Sequence, residues 1–182
     1  MGVMADQLAN MRRTVSSPDG QLTAELRGNR LAGLTFQGNT YRYYTERTLE
    51  RQLSRLALRL WTSYQRGYDE AITAATGEPV DRDTRTWDAR RRRFRQAQAA
   101  AVSRGMSPNE WIYVETTGMV TWHVVIRDGA LTALDEAAFV TEVFGAYRAM
   151  TDDYRAQVRQ LRADHYGEPL PTRPSDRKDL AA

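Results

Sequence analysis

The sequence predicts an α+β protein made of two tandem α-β-β-β-α units that pack as an intramolecular pseudo-dimer, and three observations predict it. Residues 45–76 and 135–166 each read as one long helix: Leu49, Leu53, Leu60 and Tyr64 recur at helical spacing, and Phe139, Val143, Met150 and Tyr154 repeat them at one constant offset. Each long helix follows short runs in which apolar and polar residues alternate between turn residues, the pattern of antiparallel strands. Gly77-Glu78-Pro79 breaks the chain between the two halves.

Taken in order, residues 4–13 predict a short helix with Leu8 and Met11 inward and Arg12 and Arg13 at its end. Residues 14–17, 22–27 and 31–36 then predict three strands, separated by Pro18-Asp19-Gly20 and Gly28-Asn29. The connector QGNTYRYY leads to Thr45, an acceptable cap for the first long helix. On that helix Leu49, Leu53, Leu56, Leu60 and Tyr64 share the buried face, while Arg47, Arg51, Arg55 and Arg59 form a separate stripe. After the polar stretch to Thr86 the order returns. Residues 87–104 predict a helix, residues 110–116, 119–126 and 130–134 predict strands, and Asp135 caps the second long helix. Matching the glycines pairs Gly20 with Gly118, and the strands after them pair Leu31 with Leu131 and Leu34 with Leu134. The expected units are 1–79 and 80–168, and the proline-rich residues 169–182 read as a disordered tail. One such unit alone leaves sheet edges or a helix face uncovered, and the second unit supplies the cover.

Composition narrows the function. With 41% hydrophobic and 27% charged residues the chain belongs with globular proteins, and no window reaches the roughly 18 apolar residues of a membrane span. The N-terminal residues lack the apolar segment of a secretory signal, so a cytoplasmic location is expected. The absence of cysteine excludes disulfides and thiolate chemistry. His123 and His165 fall in different elements and make a poor metal set. No P-loop, dinucleotide fingerprint, nucleophile elbow or metal-ligand spacing occurs, so neither catalytic residues nor a cofactor are expected. Glu115, Asp128 and Asp135 lie near strand ends without a spacing that implies shared acid/base work. Charge is unevenly spread. Residues 1–104 carry 18 arginines against 11 acids, net +7, and residues 105–182 carry 8 basic against 12 acidic residues, net −4. A polyanion is drawn to the first part.

The segment VSSPDGQLTAELRGNRLAGLTF, with the leucine-rich helix after it, resembles the YbaB/EbfC family of nucleoid-associated proteins, and WIYVETTGMVTWHVVIRDGALTALDEAAFVTEVFGAY resembles the same unit again. The resemblance implies a helix, three antiparallel strands and a helical C-terminal part, in proteins that dimerise and bind DNA. Here two copies are fused, the glycine-rich strand connection is reduced, and the second copy has gained Asp135, Glu136, Glu142, Asp152 and Asp153. The resemblance also implies double-stranded DNA as partner and the nucleoid as location. Type VII secretion-associated accessory proteins resemble the same family, so a protein-interaction adaptor or chaperone of such a secretion system is the alternative, with Leu58, Trp61 and the tyrosine connector meeting the partner. Further homo-oligomerisation stays open.

The candidate nucleic-acid-binding residues are Arg47, Arg51, Arg55 and Arg59 on the first long helix and Arg90, Arg91, Arg92, Arg93 and Arg95 on the helix after the linker. Arg55 and Arg59 have no acid three or four positions away, so local pairing does not account for them. Phe94 is expected to pack its helix, while Trp87 could stack on bases. Tyr41, Tyr43 and Tyr44 are expected to seal a small core, and Trp111, Tyr113 and Trp122 to pack within or between the copies.

Overall fold

In the computed structural model, which describes residues 8–28, 30–80 and 88–167, the elements are β1 (Arg12–Ser16), β2 (Leu22–Arg27), β3 (Arg30–Phe36), a 3-10 turn (Thr40–Tyr43), α1 (Glu46–Thr76), α2 (Ala89–Ala100), β4 (Val102–Met106), β5 (Ile112–Thr117), β6 (Thr121–Ile126), α3 (Ala130–Ala133) and α4 (Glu136–Tyr166). Thr45 starts α1 because its hydroxyl accepts the Thr48 N–H while the Thr48 hydroxyl accepts the Thr45 N–H, which satisfies donors the helix itself cannot. Gly77, at φ +75°, ends it. Asp135 does the same for α4 by accepting the Ala138 N–H, and Gly167, at φ +69°, closes it. Each long helix has 31 residues, about 46 Å.

The strands form two antiparallel sheets, β1-β2-β3 and β4-β5-β6. Leu22, Ala24 and Leu26 of β2 and Ile112 and Val114 of β5 alternate into a core, where Leu49, Leu53, Leu56, Leu60, Phe139, Ala146 and Met150 of the long helices meet them. The burial follows the two periodicities, two along the strands and near 3.6 along the helices.

The long helices bridge the sheets. The first half of α1 lies along the outer edge of β6: Glu46 accepts the Gly129 and Leu131 N–H groups, Glu50 accepts that of Ile126 (2.9 Å), and Ser54 Oγ accepts that of Val124 (3.2 Å). Its second half passes β1, where Gly67 abuts the side chains of Met11 and Arg13. In turn α4 lies on β4: Asp153 accepts the Arg104 N–H (2.9 Å) and Gln157 donates to the Val102 carbonyl (2.8 Å). It also passes β3. Tyr41, between the sheets, donates to the Leu134 carbonyl at 2.9 Å and packs against Phe36 and Phe139. One core therefore draws on both sides of residue 80.

Corresponding elements lie 90 residues apart: β1 and β4 start at 12 and 102, β2 and β5 at 22 and 112, α1 and α4 at 46 and 136. This corrects the sequence expectation in four places. The expected helix 87–104 ends at Ala100, and residues 102–106 are strand β4. The expected strands 110–116 and 119–126 are β5 and β6 in shortened form, the second and third of their sheet, and 130–134 is a short helix. Arg12 and Arg13 belong to β1; of the residues before them only 8–10 among those described are helical. The matching partner of Gly118 is Gly28, both at φ +57°, and Gly20 matches Glu110, at φ +71° and +60°. The turn Ser17-Pro18-Asp19-Gly20 thus returns as Ser107-Pro108-Asn109-Glu110. Residues 4–7, Trp87, the 81–86 stretch and the 169–182 tail lie outside the described residues.

Candidate nucleic-acid interface

With Leu49, Leu53, Leu56 and Leu60 buried and Glu46, Glu50 and Ser54 turned to β6, the 100° step per residue leaves Arg47, Arg51 and Arg55 on the outer face of α1. All three are exposed. They follow one another at about 6 Å along the axis. Arg47 stands 3.8 Å from Glu50 with most of its side chain in solvent. Arg51 and Arg55 form no ion pair among the described residues. Arg59 departs from the row: its Nη1 donates to the Ser16 carbonyl of β1 at 2.9 Å, so it faces the space between α1 and β1, together with Arg66.

Asp88 caps α2 by accepting the Arg90 and Arg91 N–H groups. Phe94 sets the seat of α2, edge-on to His165 and Tyr166 of α4. Arg90, Arg91 and Arg93 are exposed, whereas Arg92 and Arg95 are half-buried. The two arginine groups are therefore on different supports. Arg47, Arg51 and Arg55 ride on the part of α1 that covers β6, and Arg90–Arg93 and Arg95 ride on a helix docked to the end of α4.

Arg12, Arg13, Arg27 and Arg104 are committed elsewhere. Arg12 and Arg27 both pair with Glu25 on the outer face of the first sheet (2.6 and 2.8 Å), and their hydrogen bonds hold the Glu25 carboxyl below the usual glutamate value. Arg13 pairs with Glu70. On the second sheet Arg104 pairs with Glu115 at 2.8 Å, and Tyr113 also donates to that carboxylate. His123 is exposed on that face.

The acids of the second half are largely structural. Asp135 is a cap and Asp153 fastens β4. Glu142 is buried and accepts from the Asn109 amide (2.6 Å) and backbone N–H (3.3 Å). Asp152 lies beside Arg148 and Arg155. Of the aromatic groups, Tyr41 is buried, Tyr44 donates to Asp19 at 2.6 Å, and Tyr43 alone of the three is exposed. Trp111 lies under the Arg127 guanidinium, 5.2 Å from its ring centre, and Trp122 donates to the Met119 carbonyl. Leu58 and Trp61 do not form one patch: Leu58 is exposed, while Trp61 stacks on Tyr64 and meets Tyr154 edge-on. No helix of the described residues is long and apolar enough to cross a membrane.

The sequence did not reveal the β1–α1 groove of about 500 Å³, lined by Val15, Ser16, Leu58, Arg59, Thr62, Ser63 and Arg66. Its sequence signs are Val15 where β4 has Gly105, and Ser63 and Gly67 where α4 has Asp153 and Gln157.

Comparison with protein-family models, with curated proteins and with solved structures finds no match.

Proposed function

We propose that this protein binds double-stranded DNA without catalysis and with little sequence preference, the exposed row Arg47, Arg51 and Arg55 lying against the phosphate backbone. The observation that carries the reading is the fate of the nearby acids. Glu46 and Glu50 bond the backbone around β6, so the outer face of α1 presents arginines with little compensating charge. Such a face adds salt-sensitive, sequence-independent affinity. Arg90, Arg91 and Arg93 form a second basic surface on α2 that a long duplex or a second strand crossing could use. The 90-residue spacing and the repeated Ser-Pro turn support two copies of one YbaB/EbfC-like unit joined as an intramolecular pseudo-dimer, with nucleoid association as its cellular role.

A gel-shift titration tests this. With about four phosphates contacted, affinity for a duplex falls roughly a hundredfold between about 50 and 200 mM salt. The double variant R51E/R55E is expected to weaken binding to all sequences alike and to reduce the salt slope by about 2. The triple variant R90A/R91A/R93A is expected to weaken binding as well, with α2 still docked through Phe94. No shift at low salt eliminates the reading. The adaptor alternative is favoured by one observation, exposed Leu58 beside the groove at β1.

A further inference from the structure

Two strand edges of this molecule meet a long helix in the same relative position, and they differ in one respect. In β4 the backbone of Val102 and Arg104 faces α4 and is bonded by Gln157 and Asp153. Gly105, which has no Cβ, lets the α4 backbone close onto the strand. In β1 the Ser17 N–H donates to the Leu22 carbonyl and the Gly28 N–H to the Met11 carbonyl, so the odd-numbered residues pair with β2, and the backbone of Arg12, Thr14 and Ser16 faces away. Val15 stands where β4 has Gly105, Ser63 where α4 has Asp153, and Gly67 where it has Gln157. The helix is held off, and the groove of about 500 Å³ remains between α1 and the strand. Ser16 alone of the outward carbonyls is met from α1, by Arg59. Among the described residues no side chain of α1 bonds the Thr14 N–H or the Arg12 carbonyl.

We infer that this groove takes an extended acidic peptide of another protein, added as a fourth strand to the edge of β1. The strand edge supplies a donor and acceptors in the order a β-strand partner needs. Val15 and exposed Leu58 offer apolar contact to alternate side chains, and Arg59 and Arg66, with no acid among the lining residues, select carboxylates. The site begins one helical turn beyond Arg55, the last of the arginine row proposed for DNA.

The full-length protein is titrated with a fluorescein-labelled synthetic hexapeptide alternating glutamate and valine, read by anisotropy, beside the same peptide N-methylated at alternate amides. The expected result is saturable binding to the first, at least about tenfold weaker binding to the second, and slowed hydrogen exchange at the Thr14 amide. T14P removes the outward donor at an edge position where proline is tolerated, so it should lose peptide affinity about tenfold while keeping salt-dependent duplex binding. S63D places a carboxylate where α4 uses Asp153, facing the Thr14 N–H and the two arginines. It should abolish peptide binding without loss of thermal stability. Equal binding of the methylated peptide, unchanged binding by T14P, absence of saturable binding, or protection of the Thr14 amide by duplex DNA instead of peptide overturns the inference. The peptide anisotropy and the Thr14 exchange on adding peptide need no nucleic acid, so failure of the DNA reading leaves the inference intact.

Discussion

A Cβ at Gly105 would lie 2.2 Å from the Ala146 carbonyl oxygen and 2.4 Å from the Met150 nitrogen. Both are backbone atoms of a packed helix, so neither can swing aside. G105A therefore lifts α4 from β4 and strains the Arg104–Asp153 and Val102–Gln157 bonds, with an expected loss of about 3 kcal/mol in a urea melt. At Gly33 the added Cβ would meet only the Glu25 Cβ, at 3.6 Å, and G33A is expected to cost under about 1 kcal/mol. Glu142 gives a pH test at the same interface. Burial disfavours its charge, but hydrogen bonds from Ser107 and from the side chain and backbone of Asn109 outweigh that and hold its carboxyl below the ordinary value of 4.5. A depressed folded-state value means the stabilisation is complete above the unfolded-state value and is lost as pH falls through the folded one. Wild-type protein should thus be more stable than E142Q by about 1 kcal/mol at neutral pH. In urea melts taken at successively lower pH the difference should shrink below the unfolded-state value, about 4.3, and vanish as pH falls through the depressed folded-state one.

At the scale of elements, the sealed edge of β6 shows how α1 is fixed. E50A leaves the Ile126 N–H facing a helix with no acceptor, at a cost of about 1 to 3 kcal/mol, and faster hydrogen exchange at Ile126 and Val124 is the local readout. Both long helices are legible in the sequence because their leucines and aromatics hold the helical spacing for many turns. Strand β4 is not, and the reason is physical. Its buried positions are Ser103 and Gly105, small because α4 comes so close, so no apolar alternation marks the strand. The second Ser-Pro turn is hidden in the same way. Asn109 and Glu110 replace Asp19 and Gly20, yet Glu110 keeps the left-handed backbone at φ +60°. Residues 130–134 follow a turn where a further strand is expected, but Gly129 at φ +85° leads the chain into a short helix. The four-residue spacing of Arg47, Arg51 and Arg55 showed the exposed row directly. The diversion of Arg59 to Ser16 was hidden, because it depends on how far α1 stands from β1, which follows from Val15 against Gly105 and not from the helix's own pattern.

At the scale of the whole molecule, the connections form a closed circuit: the first sheet reaches α4 at β3, α4 reaches the second sheet at β4, and that sheet reaches α1 at β6, which returns to β1. Each half therefore lends the other its edge cover. Without residues 88–167 the leucines of α1 lose Val114, Val124 and Ile112, Tyr41 loses both Phe139 and the Leu134 carbonyl, and Glu46, Glu50 and Ser54 lose their donors. Without the first half, the outward N–H groups of β6 and much of the apolar face of α4 are left to water. Losses of this number exceed the roughly 5 to 15 kcal/mol that holds an ordinary domain together. Fragments 1–80 and 81–182, expressed separately, are thus expected to show no cooperative thermal transition. Expressed together, they should associate one to one and regain a single transition, with the tyrosine and tryptophan near-ultraviolet circular dichroism of the intact chain. A fragment that melts cooperatively alone would show that its sheet and helix already close a core, and the mutual cover would then be secondary.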